Sequence, residues 1–236
     1  KQTVLGGSWA VLQPVISMVV FTVVFGNGLG VKSDPYPYPI FVYAGLLPWN
    51  FFAGGVSGSG DSLVGQANLL TKIYFPRLFV PLSTIGSRMV NFSLSFVIYF
   101  ALMAWYWFQM PTHPGLMLLL LPLLILLTIM TALGVGCVLS SLTVSYRDFR
   151  IIVPFLVQIW MFLSPVIYPV TTMPEKYQSL MALNPMTGII EGFRSALLNQ
   201  PANWEALMIS SGMAVGIFLF GLFYFRRTER RFADIV

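Results

Sequence analysis

Few residues of this 236-residue chain could carry out covalent chemistry, and their spacing argues against it. The nearest approach to a nucleotide motif is Gly55-Val-Ser-Gly-Ser-Gly60-Asp61-Ser62, which has the four-residue gap between glycines of a phosphate-binding loop. Such a loop needs a lysine after the second glycine to meet the phosphates, whereas Asp61 repels them. The small residues fit helix packing better: Gly54/Gly58 and Gly55/Ser59 have small-xxx-small spacing, as do Gly212/Gly216. His113, the single histidine, has no nearby acid to orient it, and the single Cys137 excludes an internal disulfide or a cysteine-rich metal site. The carboxylates include no pair and no Asp-rich motif of the kind that a glycosyltransferase or polymerase uses. No catalytic residue, metal ligand or bound cofactor is expected on this chain.

The elements that must position these residues are membrane helices. Between Arg88 and Arg147 run 58 residues without Asp, Glu, Lys or Arg, and residues 2–31, 35–60, 151–174 and 206–225 are free of charge as well. A crossing needs roughly 20 apolar residues for a hydrocarbon core of about 30 Å. The long gap therefore holds two crossings, divided at Gln109-Met-Pro-Thr-His-Pro114, where two prolines end one helix and precede the next. Six spans are predicted, over 4–26, 40–63, 80–107, 115–143, 151–168 and 204–225. The first is read as a retained helix and not a cleaved signal peptide, and a chain beginning at Lys1 is expected to continue upstream. Apolar residues surround each run without period-two alternation, which excludes strands of a membrane barrel. With 57% hydrophobic residues, 9% charged and a mean hydropathy of +0.79, residues 1–236 are predicted to form a single all-α transmembrane domain with short loops.

Basic residues set the expected orientation. With both termini cytoplasmic, that side holds nine: Lys1, Lys72, Arg77, Arg147, Arg150, Arg226, Arg227, Arg230 and Arg231. The outer side holds Lys32, Lys176 and Arg194. This asymmetry explains the net charge of +5 without any nucleic-acid partner, and the arginine-rich tail suits anionic lipid heads. No carboxylate falls at mid-membrane with a partner, so proton or sodium coupling has no support. The loop 66–80 contains an amphipathic stretch, apolar at Leu69, Leu70, Ile73, Tyr74 and Phe75 and polar at Asn68, Thr71, Lys72 and Arg77. It is suited either to lying in the interface or to docking in a partner's groove. Arg88, two turns into the third span, either snorkels to the inner interface or meets an anion.

Residues 169–203 are too long for a simple connection and too broken by prolines for one helix, so two short helices are expected near 174–182 and 186–199. Glu191 and Arg194 in the second have pairing distance at i, i+3.

The stretches Tyr43-Ala-Gly-Leu-Leu-Pro-Trp-Asn-Phe-Phe52, Leu70-Thr-Lys-Ile-Tyr-Phe-Pro-Arg77, Tyr146-Arg-Asp-Phe-Arg150, Ser164-Pro-Val-Ile-Tyr168 and Leu183-Asn-Pro185 resemble, in order and spacing, the permease subunit of polysaccharide ABC exporters, the type-2 ABC transporter family. That family exports O-antigen, capsule or teichoic acid. The resemblance implies a homodimer in the bacterial inner membrane, with two separate ATP-binding cassette subunits that hold ATP and Mg, and an undecaprenyl-pyrophosphate-linked glycan as substrate. It implies that Asn68, Leu70, Lys72, Tyr74, Phe75 and Arg77 belong to a cytoplasmic coupling helix. Asn184, Pro185, Glu191 and Arg194 would sit in two outer re-entrant helices that form a gate. Phe21, Phe25, Trp160, Phe162 and Tyr168 are nominated to line the path, since aromatic rings stack on the apolar faces of sugars, and Arg88 to meet the lipid pyrophosphate. The alternatives are an ABC permease for a smaller lipid or drug, a membrane glycosyltransferase or polymerase, and a channel without an energy source.

Overall fold

A computed structural model of the chain describes residues 9–33, 35–65, 76–110, 114–146 and 148–229. Among the described residues there are eight α-helices and no strand: α1 Trp9–Phe21, α2 Tyr38–Gly65, α3 Phe79–Trp105, α4 Leu121–Ser145, α5 Phe149–Leu163, α6 Glu175–Ala182, α7 Pro185–Leu198 and α8 Trp204–Glu229. A π-helical turn over Thr22–Gly28 extends α1, and a 3-10 turn over Leu116–Leu120 leads into α4. With those extensions, α1, α2, α3, α4 and α8 are 20 to 30 residues long and apolar enough to cross a membrane.

The helix α5 differs from its expected span of 151–168. Pro165 forces the residue before it out of the helical region, and Ser164 is extended at φ −107° and ψ 146°, so the helix stops at Leu163. Its 15 residues reach about 22 Å at 1.5 Å per residue. The remaining path from Ser164 to Tyr168 is irregular backbone whose polar groups require partners.

The centre of the bundle is α2, packed against α3, α4 and α7, while α4 also packs along α8. Lipid tails are as apolar as leucine, so helices in a membrane associate through close backbone approach more than through hydrophobic transfer. Such an approach joins α4 to α8: a Cβ at Gly134 would lie 2.6 Å from the Ile217 carbonyl oxygen, and one at Gly221 would collide with the backbone of Gly134. Gly212 and Gly216, the pair of this helix with the small-xxx-small spacing, have nothing within 4 Å of such a Cβ. The contact falls on Gly221 because that residue faces the groove of α4.

The helices α1 and α5 lie on different flanks of α2. One packs on α2 and α3, the other on α2 and α4. Both leave broad apolar faces uncovered, with Ile16, Val20 and Val23 exposed on the first and Ile151, Phe155 and Ile159 on the second. Of α5 only Val153 and Val157, one turn apart, are buried.

Candidate gate and translocation site

Asn184 joins three elements at the end of the bundle where α5, α7 and α8 meet. It is the N-cap of α7, its side-chain oxygen accepting from the Met186 N–H at 3.1 Å, while Pro185 at the first helical position gives up an N–H that would have had no partner. The same oxygen accepts from the Trp160 indole at 3.0 Å, and the amide nitrogen donates to Ser164 Oγ at 2.8 Å. Ser164 in turn donates to the Trp160 carbonyl. On the other side Ser210 of α8 accepts from the Gly188 N–H at 3.0 Å and reaches the carbonyls of Ala182 and Asn184. The Ser164-Pro-Val-Ile-Tyr168 and Leu183-Asn-Pro185 motifs are thus one hydrogen-bonded unit, with Ser210 its third member.

Arg194 holds the irregular turn after α5. It is 3% exposed, and its guanidinium donates to the Val166 carbonyl at 2.7 Å, with longer contacts to the carbonyls of Phe41 at 3.4 Å and Tyr168 at 3.5 Å. The guanidinium carbon stands 3.7 Å from the centre of the Phe41 ring, a cation–π arrangement. Gly45 makes the space, since a Cβ there would lie 2.9 Å from Arg194 Nη2 and 3.0 Å from the Val166 oxygen. Tyr38 completes the clamp by donating to the Ile167 carbonyl at 2.7 Å. The expected Glu191–Arg194 ion pair is absent, because the guanidinium turns inward to these carbonyls and the carboxylate turns to a cavity. Burial raises the Glu191 pKa, and the nearby charge of Arg194 opposes the rise.

The nominated path aromatics fall into two groups. Phe21 and Phe25 stack edge to face at 5.9 Å at the end of α1 and in its π-helical turn. Trp160 lies edge-on to Phe52 at 5.0 Å, Phe162 is exposed, and Tyr168 donates back to the Phe162 carbonyl at 2.9 Å. Among the described residues no ring of one group contacts a ring of the other within one chain. Arg88 is exposed, and among the described residues it has no ion pair or hydrogen bond. Its side chain runs over Gly54 and Gly58, whose added Cβ atoms would lie 3.5 Å and 3.6 Å from it. It borders a cavity of about 170 Å³ together with Gln13, Asn50, Asn91 and Ser95, and no carboxylate lines that space.

At the opposite end Asp61, in the place a phosphate-binding lysine would take, accepts from Arg150 Nε at 3.1 Å within the continuous helix α2. Of the coupling residues, Asn68, Leu70, Lys72, Tyr74 and Phe75 lie outside the described residues. Arg77 donates to the Glu229 carbonyl at 2.6 Å, tying the start of α3 to the end of α8, where a cation is favoured by the helix dipole. Sequence reasoning missed Ser210, Phe41, Tyr38 and Gly45. Ser210 carried a signal as a hydroxyl in an apolar helix, and Gly45 lay within the Tyr43–Phe52 stretch.

A bundle of long apolar helices, with its polar bonds concentrated where a broken helix ends, has the architecture of a multi-pass membrane protein. The ABC-2 type transporter family profile matches residues 1–198, and the chain belongs to that family. It is 29% identical to the O-antigen export system permease protein RfbA of Myxococcus xanthus, over 98% of this chain and 88% of the relative. A protein of the same name from Klebsiella pneumoniae is 25% identical over 100% and 89%. The polysialic acid transport protein KpsM of Escherichia coli is 25% identical over 82% and 74%.

Proposed function

We propose that this chain is the transmembrane subunit of an ATP-driven exporter that moves a lipid-linked polysaccharide across the bacterial inner membrane. The observation that carries the reading is similarity along nearly the whole chain to permeases named for O-antigen export. A homodimer is favoured by the apolar faces of α1 and α5, which lie apart within one chain. In a two-fold pair, α1 of one protomer faces α5 of its partner, and Phe21 and Phe25 join Trp160, Phe162 and Tyr168 around a shared path. Both termini are cytoplasmic by the basic-residue asymmetry. That places α5 with its turn as the fifth of six crossings, α6 and α7 as outer re-entrant helices, and Asn68–Arg77 as the contact with a separate ATPase. Arg88, unpaired in a cleft without carboxylates, meets the pyrophosphate of an undecaprenyl-linked substrate.

The test is purification from mild detergent followed by reconstitution with whatever ATPase accompanies the chain. A companion subunit with a phosphate-binding loop is expected, and replacing Tyr74 and Phe75 by alanine should lower ATPase stimulation and export without reducing insertion. Unchanged export by that double variant refutes the coupling assignment.

A further inference from the structure

Above the Arg194 clamp lies a cavity of about 710 Å³ bordered by Lys32, Ser33, Pro35 and Tyr36, the turn at Pro169–Thr172 and the adjoining ends of α7 and α8. Its size is that of a small-molecule site, about 300–1,000 Å³. We propose that this cavity is a glycan-binding site that holds a short stretch of the exported chain, recognised through its hydroxyl groups, as it leaves the gate. The proposal rests on the polysaccharide reading and gives that substrate a specific place on the protein.

The lining carries the argument. Lys32, Thr171, Glu191, Asn199, Gln200 and Asn203 face the space. The carboxylate of Glu191 is part-buried, yet among the described residues it has no hydrogen-bond or ion-pair partner, and neither do the side chains of Lys32, Asn199 and Gln200. An enclosed carboxylate without donors is costly. Sugar hydroxyls each offer a donor and an acceptor, which suits a carboxylate beside two amides. Tyr36 and Phe41 also border the space, but both are buried and the Arg194 guanidinium covers the Phe41 ring, so recognition falls to the polar lining. A phosphate would suit the site poorly: Arg194 commits three of its five N–H donors to carbonyls, and Glu191 opposes the remaining cation, Lys32. Because Arg194 lines the cavity and also holds Val166, a bound chain touches the residue that fixes the turn after α5.

The probe is the polysaccharide released by mild acid from the envelope of the producing strain and labelled at its reducing end. Its binding is measured on the purified permease, with any subunit that accompanies it, in nanodiscs. Saturable binding is expected, weakened about tenfold by Glu191→Gln, the equivalent of 1.4 kcal/mol, and abolished by Thr171→Trp, which fills the space from an exposed position and spares the packed interior. Excess glycerol phosphate should leave binding unchanged. Wild-type affinity in both variants, displacement by glycerol phosphate, or no binding to the wild type each overturns the proposed site. The polysaccharide reading is judged separately by export of the lipid-linked chain from the same membranes, and it fails only if that export is absent.

Discussion

At the scale of single residues, Arg194 decides most. One guanidinium satisfies carbonyls on α2 and on the turn after α5, and only its flat, forked donor set spans them. Arg194→Met leaves those carbonyls without a charged donor at a cost of about 2–3 kcal/mol. Arg194→Lys should recover little of it, since a single ammonium cannot keep the same geometry. Melting of the detergent-solubilised protein and export by cells check both variants. A lysine variant that melts and exports like the wild type would sink the clamp. The Arg194 side chain was visible in the sequence as a candidate, but its partner was misjudged. Helical spacing puts Glu191 within reach, whereas the choice between that carboxylate and three distant carbonyls depends on a turn 28 residues earlier in the chain.

At the scale of elements, the fold depends on small residues where backbones touch. Gly134→Leu or Gly221→Leu should separate α4 from α8, with an overpacking cost of about 1–3 kcal/mol or more, and should reduce the amount of folded protein in membranes. Gly212→Ala and Gly216→Ala should be close to neutral, because nothing stands within 4 Å of the added methyl. Size-exclusion profiles of the four variants separate the outcomes, and equal loss in both pairs would refute the assignment of the contact. The small-residue spacing was legible: Gly55, Gly58 and Ser59 of α2 do stand at close contacts with α3 and α4, whereas Gly212 and Gly216 do not, since a spacing rule does not say which way a helix is turned. The shortness of α5 was half legible: Pro165 was present to stop the helix, yet the absence of charge ran on to residue 174.

At the scale of the whole molecule, the proposed homodimer sets the uncovered face of α1 in one copy against that of α5 in the other. With Cys137 replaced by serine, a chain carrying Val20→Cys and Ile159→Cys should form an oxidant-dependent dimer on a non-reducing gel, and neither single variant should give that same product. A double variant that stays monomeric under oxidation in intact membranes argues against this arrangement. The sequence by itself determined that the chain lives in a membrane, is helical and breaks between α3 and α4 and within 169–203. Those properties follow from local composition, charge and proline, which act within a helical turn or over the thickness of a bilayer. Only the tertiary structure decided that Asn184, Ser164, Trp160 and Ser210 form one knot, that Arg194 turns from Glu191 to the carbonyl of Val166, and that Glu191 opens onto a polar cavity. Those partners are separated by 20 or more residues along the chain or depend on such separations, and the directions of their side chains are fixed by how whole helices pack.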